Sequence, residues 1–72
     1  MGPTLDEIEA TIERLEARLA ASQNPETARL LAAYRKLDAR FRADLDDPRD
    51  LALSRGAALM LLRFLDEGGQ PG

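Results

Sequence analysis

Residues 54–65, SRGAALMLLRFL, are more apolar than one face of a small soluble helix requires, and their only charged side chains are Arg55 and Arg63. On a helical wheel of about 100° per residue, the apolar side chains in and around this stretch fill an arc of roughly 200°. The arc consists of Leu51, Leu53, Ala57, Ala58, Met60, Leu61, Leu62, Phe64 and Leu65. Such an arc is typical either of a central core helix that contacts two neighbours or of a helix that keeps part of its surface for another chain.

The remaining side of this helix is mainly charged. It carries Arg55, Gly56, Leu59, Arg63, Asp66 and Glu67. Soluble monomers rarely expose a contiguous apolar patch, so any part of the arc that the core does not use is expected to contact another chain. The predicted interface residues are Leu53, Ala57, Met60 and Phe64.

Three start signals divide the chain into helices. Thr4 begins a Thr-x-x-Glu capping box, and Asn24 and Asp47 are N-cap residues that each precede a proline. We predict helices over residues 5–23, 25–45 and 48–67 of a single domain, residues 1–67, followed by a disordered tail, residues 68–72. Short connections make neighbouring helices antiparallel, so the predicted fold is an all-α, up-down-up three-helix bundle. The competing arrangement is a hairpin of the first two helices with the third splayed onto a second subunit.

The first two helices each carry a narrow apolar stripe with the alternating spacing of 3 and 4 residues that is typical of a coiled-coil seam. The first stripe is Leu5, Ile8, Ile12, Leu15 and Leu19, and the second is Leu30, Tyr34, Leu37, Phe41 and Leu45, with Leu31 at its edge. We predict that the two stripes pack against each other, and that the Tyr34 ring is buried with a hydrogen-bonded hydroxyl. An intermolecular seam along the first helix is the alternative.

The second helix is the basic element of an acidic chain. The net charge is −3, whereas residues 25–45 hold five bases and three acids. Arg29, Lys36 and Arg40 flank one side of the apolar stripe, and Arg35 and Arg42 flank the other. These bases are predicted to pair with acids of the first helix, Glu9 and Glu16 being the candidates beside the seam. The functional alternative is that Arg29, Lys36 and Arg40 contact phosphates.

The composition leaves little for catalysis or for metal binding. There is no His and no Cys, so disulfides, the usual zinc sites and the common nucleophile–base pairs are absent. The acidic run at residues 44–50, DLDDPRD, lacks the glycine and the distal glutamate of a calcium loop. We therefore expect no enzyme, no cofactor, no metal and no small-molecule substrate. The absence of Cys, of a signal peptide and of a long apolar run favours a soluble, cytoplasmic protein without membrane contact.

Residues 47–55, DPRDLALSR, resemble helical segments of some actinobacterial phage small terminase subunits, which are ring-forming adaptors of DNA packaging. The similarity covers this one short stretch and includes no functional motif. No site residue is transferred from that family.

Two functions fit this sequence. The first is a non-enzymatic protein–protein interaction module of bacterial or phage origin, acting as an adaptor, inhibitor or small subunit, which uses the third helix to bind itself, as a homo-oligomer, or another protein. The alternative is an oligomeric nucleic-acid-binding protein of regulatory or phage DNA-packaging type, which uses Arg29, Lys36 and Arg40 of the second helix.

Overall fold

The computed structural model describes residues 2–68, and it contains three α-helices, α1 (Leu5–Ala20), α2 (Pro25–Asp44) and α3 (Pro48–Asp66). The predicted all-α three-helix bundle is confirmed, with α3 packed against both other helices. Gly68, at φ 86°, lies in the left-handed region in the turn after α3, as expected of a terminal glycine. From residue 69 onward, the predicted tail lies outside the described residues.

The three predicted starts are confirmed by their caps. The Thr4 hydroxyl accepts from the Glu7 amide at 3.2 Å, while the Glu7 carboxylate accepts from the Thr4 amide at 3.3 Å. The Asn24 and Asp47 side chains each accept from the amide two residues later, at 3.0 and 2.9 Å. Each cap satisfies amides that a helix start would otherwise leave without partners.

The end of α1 differs from the prediction, because the helix stops at Ala20 rather than at residue 23. The Ser22 hydroxyl accepts from the Asn24 amide at 3.2 Å and donates to the Asp66 carboxylate at 2.5 Å. These bonds favour a turn over a further helical turn. The ends of α2 and α3 lie one residue before the predicted ones.

Contacts at both ends of the bundle define the direction of the helices. Gly2, just before α1, lies beside the Arg49 guanidinium at the start of α3. Ser22, just after α1, bonds to Asp66 at the end of α3. Therefore α1 and α3 run in the same direction, and α2 runs antiparallel to both.

The core is centred on α3, and the expectation that the stripes of the first two helices pack chiefly against each other is wrong. The contact between α1 and α2 is the smallest of the three, and the contact between α1 and α3 is the largest. Each stripe packs mainly against α3, because α3 is a more apolar neighbour than the other stripe. The buried core consists of Ile12, Leu15, Leu19, Leu31, Tyr34, Ala52, Leu59 and Leu62, with Thr27 as its buried polar member.

The orientation of α3 also differs from the wheel. Leu59, which the wheel puts on the charged side, is 0% exposed, whereas Leu61 of the apolar arc is 61% exposed. The reason is that Arg55, on the charged side, is paired with acids of the other helices and so faces the interior. A helical wheel that considers hydrophobicity alone assigns such an arginine to the solvent-facing side of the helix.

The core side of the second helix also differs from the predicted one. Thr27 and Leu31 are buried, whereas Leu37, a member of the predicted stripe, is 44% exposed. Thr27 is accommodated because its hydroxyl donates to Asp66. The prediction that Leu37 belongs to the core seam is therefore wrong.

Candidate interaction surface

One side of α3 is apolar and faces away from both other helices. We call it the outer face and define it as Leu53, Ala57, Met60, Leu61 and Phe64, all of them exposed. The four large side chains are between 51% and 61% exposed. All four predicted interface residues lie on this face, together with Leu61. The core of the bundle is complete without them.

An apolar groove borders the outer face on the α1 side. It has a volume of about 400 Å³ and runs between Ile8 and Ile12 of α1 and Leu53 and Met60 of α3. Gly56 lies along it, and a β-carbon there would be 3.9 Å from Ile12, an ordinary contact distance. The groove extends the apolar surface from α3 onto α1.

A second apolar groove borders the outer face on the α2 side. It has a volume of about 180 Å³, and Leu30 and Leu37 of α2 line it together with Ala58 and Leu61 of α3. The exposed Leu37 therefore belongs to the same continuous apolar surface as the outer face. The two grooves make this surface wider than one helix.

Cationic side chains lie at the α1 edge of this surface. Arg14 and Arg18 of α1 line a depression of about 250 Å³ with Met60 and Arg63 of α3. Arg63, in the last turn of α3, donates to Glu67, the residue just after the helix, at 3.0 Å, and this pair is exposed. The border is polar, as the rim of a protein interface commonly is.

A network centred on Arg55 holds α3 in the orientation that exposes this face. The Arg55 Nη2 atom lies 3.2 Å from Glu16 Oε1 of α1, and its Nε atom lies 2.8 Å from Asp38 Oδ1 of α2. The second contact is an ion pair that is not aligned as a hydrogen bond. Tyr34 donates to Glu16 at 3.2 Å, and Arg42 donates to Asp38 at 3.0 Å. One largely buried arginine side chain therefore connects all three helices.

This environment shifts the pKa of two groups in the network. Burial raises the pKa of the Tyr34 hydroxyl, and the neighbouring Arg55 only partly opposes the shift. Burial alone lowers the pKa of Arg55, but Tyr34, Asp38 and Glu16 outweigh it, so the net pKa is raised. The guanidinium thus stays charged in the interior, and the tyrosine stays neutral. The predicted buried ring with one hydrogen-bonded hydroxyl is confirmed.

A second network joins the helices at the end of the bundle where α3 ends. The Asp66 carboxylate accepts from the Ser22 hydroxyl and from the Thr27 hydroxyl, each at 2.5 Å. These two hydrogen bonds lower the pKa of Asp66. Together the two networks hold α3 near its middle and at its end.

The basic residues of α2 do not pair with α1 as predicted. Glu16 pairs with Arg55 of α3 instead. The Arg29 side chain is 82% exposed and lies 3.9 Å from Glu26 of its own helix. Lys36 and Arg40 are exposed, and neither makes an ion pair with any residue that the structure describes. These bases form an exposed strip along α2 rather than a link between helices.

Within residues 2–68, no helix is both long enough and apolar enough to cross a membrane. Across the same residues, no three acidic, histidine or cysteine side chains are grouped so that they could hold a metal ion.

Comparisons of the chain with protein-family models, with curated proteins and with solved structures gave no match.

Proposed function

We propose that the protein is a non-enzymatic helical interaction module, an adaptor, inhibitor or small subunit, that binds another protein chain through the outer face of α3. The observation that carries this proposal is the exposure of Leu53, Met60, Leu61 and Phe64 on one side of a helix whose other side completes the core. Contiguous apolar surfaces of this kind commonly mark protein interaction sites.

Covering the outer face should contribute more binding free energy than covering other parts of the surface. Each of its large side chains is about half exposed, and covering the remainder of one such side chain stabilises a complex by about 1 kcal/mol. The two bordering grooves offer recesses in which a partner's side chains can be desolvated, which is where binding energy tends to concentrate.

The face is also held in place before a partner binds. The Arg55 network holds the middle of α3, and the Asp66 network holds its end. A helix held in this way needs little reorganisation on binding, so less of the interaction energy is lost to ordering.

A double substitution tests this function. Met60→Gln with Phe64→Gln replaces two exposed apolar side chains by polar residues that favour helix formation. We expect the wild-type protein either to self-associate or to bind an apolar fluorescent dye. We expect the double variant to remain folded by circular dichroism, to be monomeric and to lose dye binding.

The matched control is Ala17→Gln with Ala20→Gln, two exposed positions on α1, and it should behave as the wild type does. A wild-type protein that is monomeric at high micromolar concentration and binds no dye would contradict the proposal. Unfolding of the Met60→Gln, Phe64→Gln variant would contradict it too, because those side chains would then belong to the core.

The exposed strip on α2 supports a second candidate function, an oligomeric nucleic-acid-binding protein of regulatory or phage DNA-packaging type. Arg29 and Arg40, with Lys36 between them, are 11 positions apart on one helix, about 16 Å along its axis. A chain of net charge −3 has no general attraction for nucleic acid, so several strips must act together in an oligomer.

Salt dependence tests this second function. Duplex DNA should be bound at low salt, and binding should weaken steeply as salt rises, because phosphate contacts release counterions. Replacing Arg29, Lys36 and Arg40 by Ala should abolish binding, whereas Arg35→Ala, at another exposed position of α2, should not. The absence of any shift of duplex DNA at low salt would eliminate this candidate.

A further inference from the structure

We propose that the occupant of the outer face is a second copy of this chain, packed so that the two α3 helices run antiparallel in a symmetric dimer. This inference rests on the proposed function and adds to it the identity of the partner and the register of the contact. The spacing, the sizes and the charges of the residues along α3 each support it.

The spacing is that of a helix–helix seam. Leu53, Ala57, Met60 and Phe64 are separated by 4, 3 and 4 positions, the alternation that keeps apolar side chains in line along two packed helices. All four are exposed. The outer face of α3 therefore has the spacing of a helix–helix seam, but neither α1 nor α2 packs against it.

The order of side-chain sizes along the seam favours the antiparallel direction. The four positions are symmetric about the point between Ala58 and Leu59, so antiparallel packing puts Ala57 opposite Met60 of the second copy, a small side chain against a long one. Parallel packing puts Ala57 against Ala57 and leaves a gap at that layer, which close packing disfavours.

The charges favour the same direction. Arg49 and Glu67 are separated by 18 positions, five helical turns, and so lie on the same side of α3 near its two ends. Both are exposed. An antiparallel dimer brings Arg49 of each copy beside Glu67 of the other, whereas a parallel dimer brings like charges together. Glu67 holds Arg63 through Oε1, so its second carboxylate oxygen remains available to Arg49 of the second copy.

The groove between α1 and α3 completes the fit. Its walls include Ala57 and Met60, the two residues that lie nearest the proposed symmetry axis. The long side chains that the second copy presents at this axis thus have an apolar recess beside the seam.

Charge reversal tests the dimer and its direction together. We expect Arg49→Glu and Glu67→Arg each to raise the dissociation constant of the dimer about tenfold, because each change turns two symmetric attractions into repulsions. The double variant, Arg49→Glu with Glu67→Arg, should return to within about threefold of the wild type. Arg35→Glu and Glu13→Arg make the same charge changes at exposed positions away from α3 and should leave the dissociation constant unchanged. The measurement is sedimentation equilibrium over a concentration series.

Disulfide trapping tests the register. The chain has no cysteine, so Leu53→Cys and Phe64→Cys variants each carry one thiol. When the two variants are mixed and oxidised, we expect the cross-linked product that joins one chain of each kind to exceed both products that join chains of the same kind. Preferential linking of two Leu53→Cys chains would overturn the antiparallel register.

The outcomes separate this inference from the proposed function. A monomer that binds an apolar dye overturns the dimer and leaves the outer face as a site for a different protein. A monomer that binds no dye overturns both. A dimer that is insensitive to charge reversal at Arg49 and Glu67 overturns the antiparallel contact while the interaction module stands.

Discussion

Arg55 is the residue on which the orientation of α3 depends most directly, because its guanidinium contacts Glu16 on α1 and Asp38 on α2. Its side chain is 13% exposed, so the charge is stabilised mainly by these partners. Loss of the cation would leave two partly buried carboxylates without the arginine that they share. Arg55 therefore determines which side of α3 faces the core and which side is exposed.

Replacing Arg55 by Met should lower the free energy of unfolding by about 2 to 4 kcal/mol, because it removes the common partner of two partly buried carboxylates. Urea unfolding followed by circular dichroism measures the change. Arg63→Met is the matched control on the same helix, since Arg63 has an exposed partner one turn away, and its cost should stay near 0.5 kcal/mol. Equal effects of the two substitutions would refute the role given to the Arg55 network.

Tyr34 should make the fold sensitive to alkali. Burial raises the pKa of its hydroxyl in the folded state, above the ordinary value of about 10. Its contribution to stability is therefore fully present below about pH 10 and is lost as the pH rises through the folded-state pKa. Because it is the one tyrosine of the chain, tyrosinate absorbance reports its titration alone.

The Tyr34→Phe variant supplies the comparison. It should lose much of the decline in stability on the alkaline side, although it also loses the hydrogen bond to Glu16. An ordinary titration near pH 10 in the folded protein would contradict the buried hydroxyl.

Asp66 should make the stability of the fold sensitive to acid. Hydrogen bonds from Ser22 and Thr27 lower the pKa of its carboxyl in the folded state. Its contribution to stability is therefore present above the ordinary aspartate value of about 3.9 and is lost as the pH falls through the lower, folded-state pKa. Asp66→Asn should reduce the acid-induced loss of stability measured by urea unfolding at successive pH values. An unchanged acid dependence in this variant would contradict the shared carboxylate.

At the scale of the element, α3 has one buried side and one exposed side, and both contain leucine. Leu59 is 0% exposed, and Leu61, two positions later, is 61% exposed. The same substitution at these two positions therefore measures how the helix is oriented, with helix propensity held constant.

Leu59→Ala should lower the free energy of unfolding by about 2 to 5 kcal/mol, because it leaves a cavity in the core. Leu61→Ala should cost less than about 1 kcal/mol, because an exposed leucine loses little on truncation. Urea unfolding of both variants is the measurement. The reverse order would show that the apolar arc faces the core and would remove the outer face as a binding surface.

The helices themselves were predictable, because Thr4, Asn24 and Asp47 cap them through local chemistry that a short sequence window contains. Their rotation was harder to predict. A second series on α3, Ala52, Arg55, Leu59, Leu62 and Asp66, has the same alternating spacing as a seam and is the one that faces the core. Choosing it requires knowing that Arg55 and Asp66 find partners on other helices, which are distant in sequence.

The buried Thr27 was missed for the same reason. It lies in register with Leu31 and Tyr34, a signal that could have placed it on the core side of α2. Its hydroxyl is satisfied by Asp66, 39 positions away, and no local pattern reveals that bond. The predicted interface residues, by contrast, lie together on the outer face.

At the scale of the whole molecule, a chain of 72 residues buries a smaller fraction of its surface than a larger protein does, and its folding is marginal without a further source of stability. Disulfides cannot supply it, since Cys is 0. Association through the outer face of α3 would cover the large exposed apolar side chains and add stability by mass action. We therefore expect a second chain to cover this face.

Light scattering over a concentration series measures whether a second copy covers the outer face. We predict that the molar mass rises from the chain mass of 7.9 kDa toward twice that value as the concentration increases. The Met60→Gln, Phe64→Gln variant should stay at the chain mass while remaining folded. A wild-type protein that keeps the chain mass at every concentration would contradict the second copy as the occupant, and the absence of dye binding in the same samples would contradict the interaction surface itself.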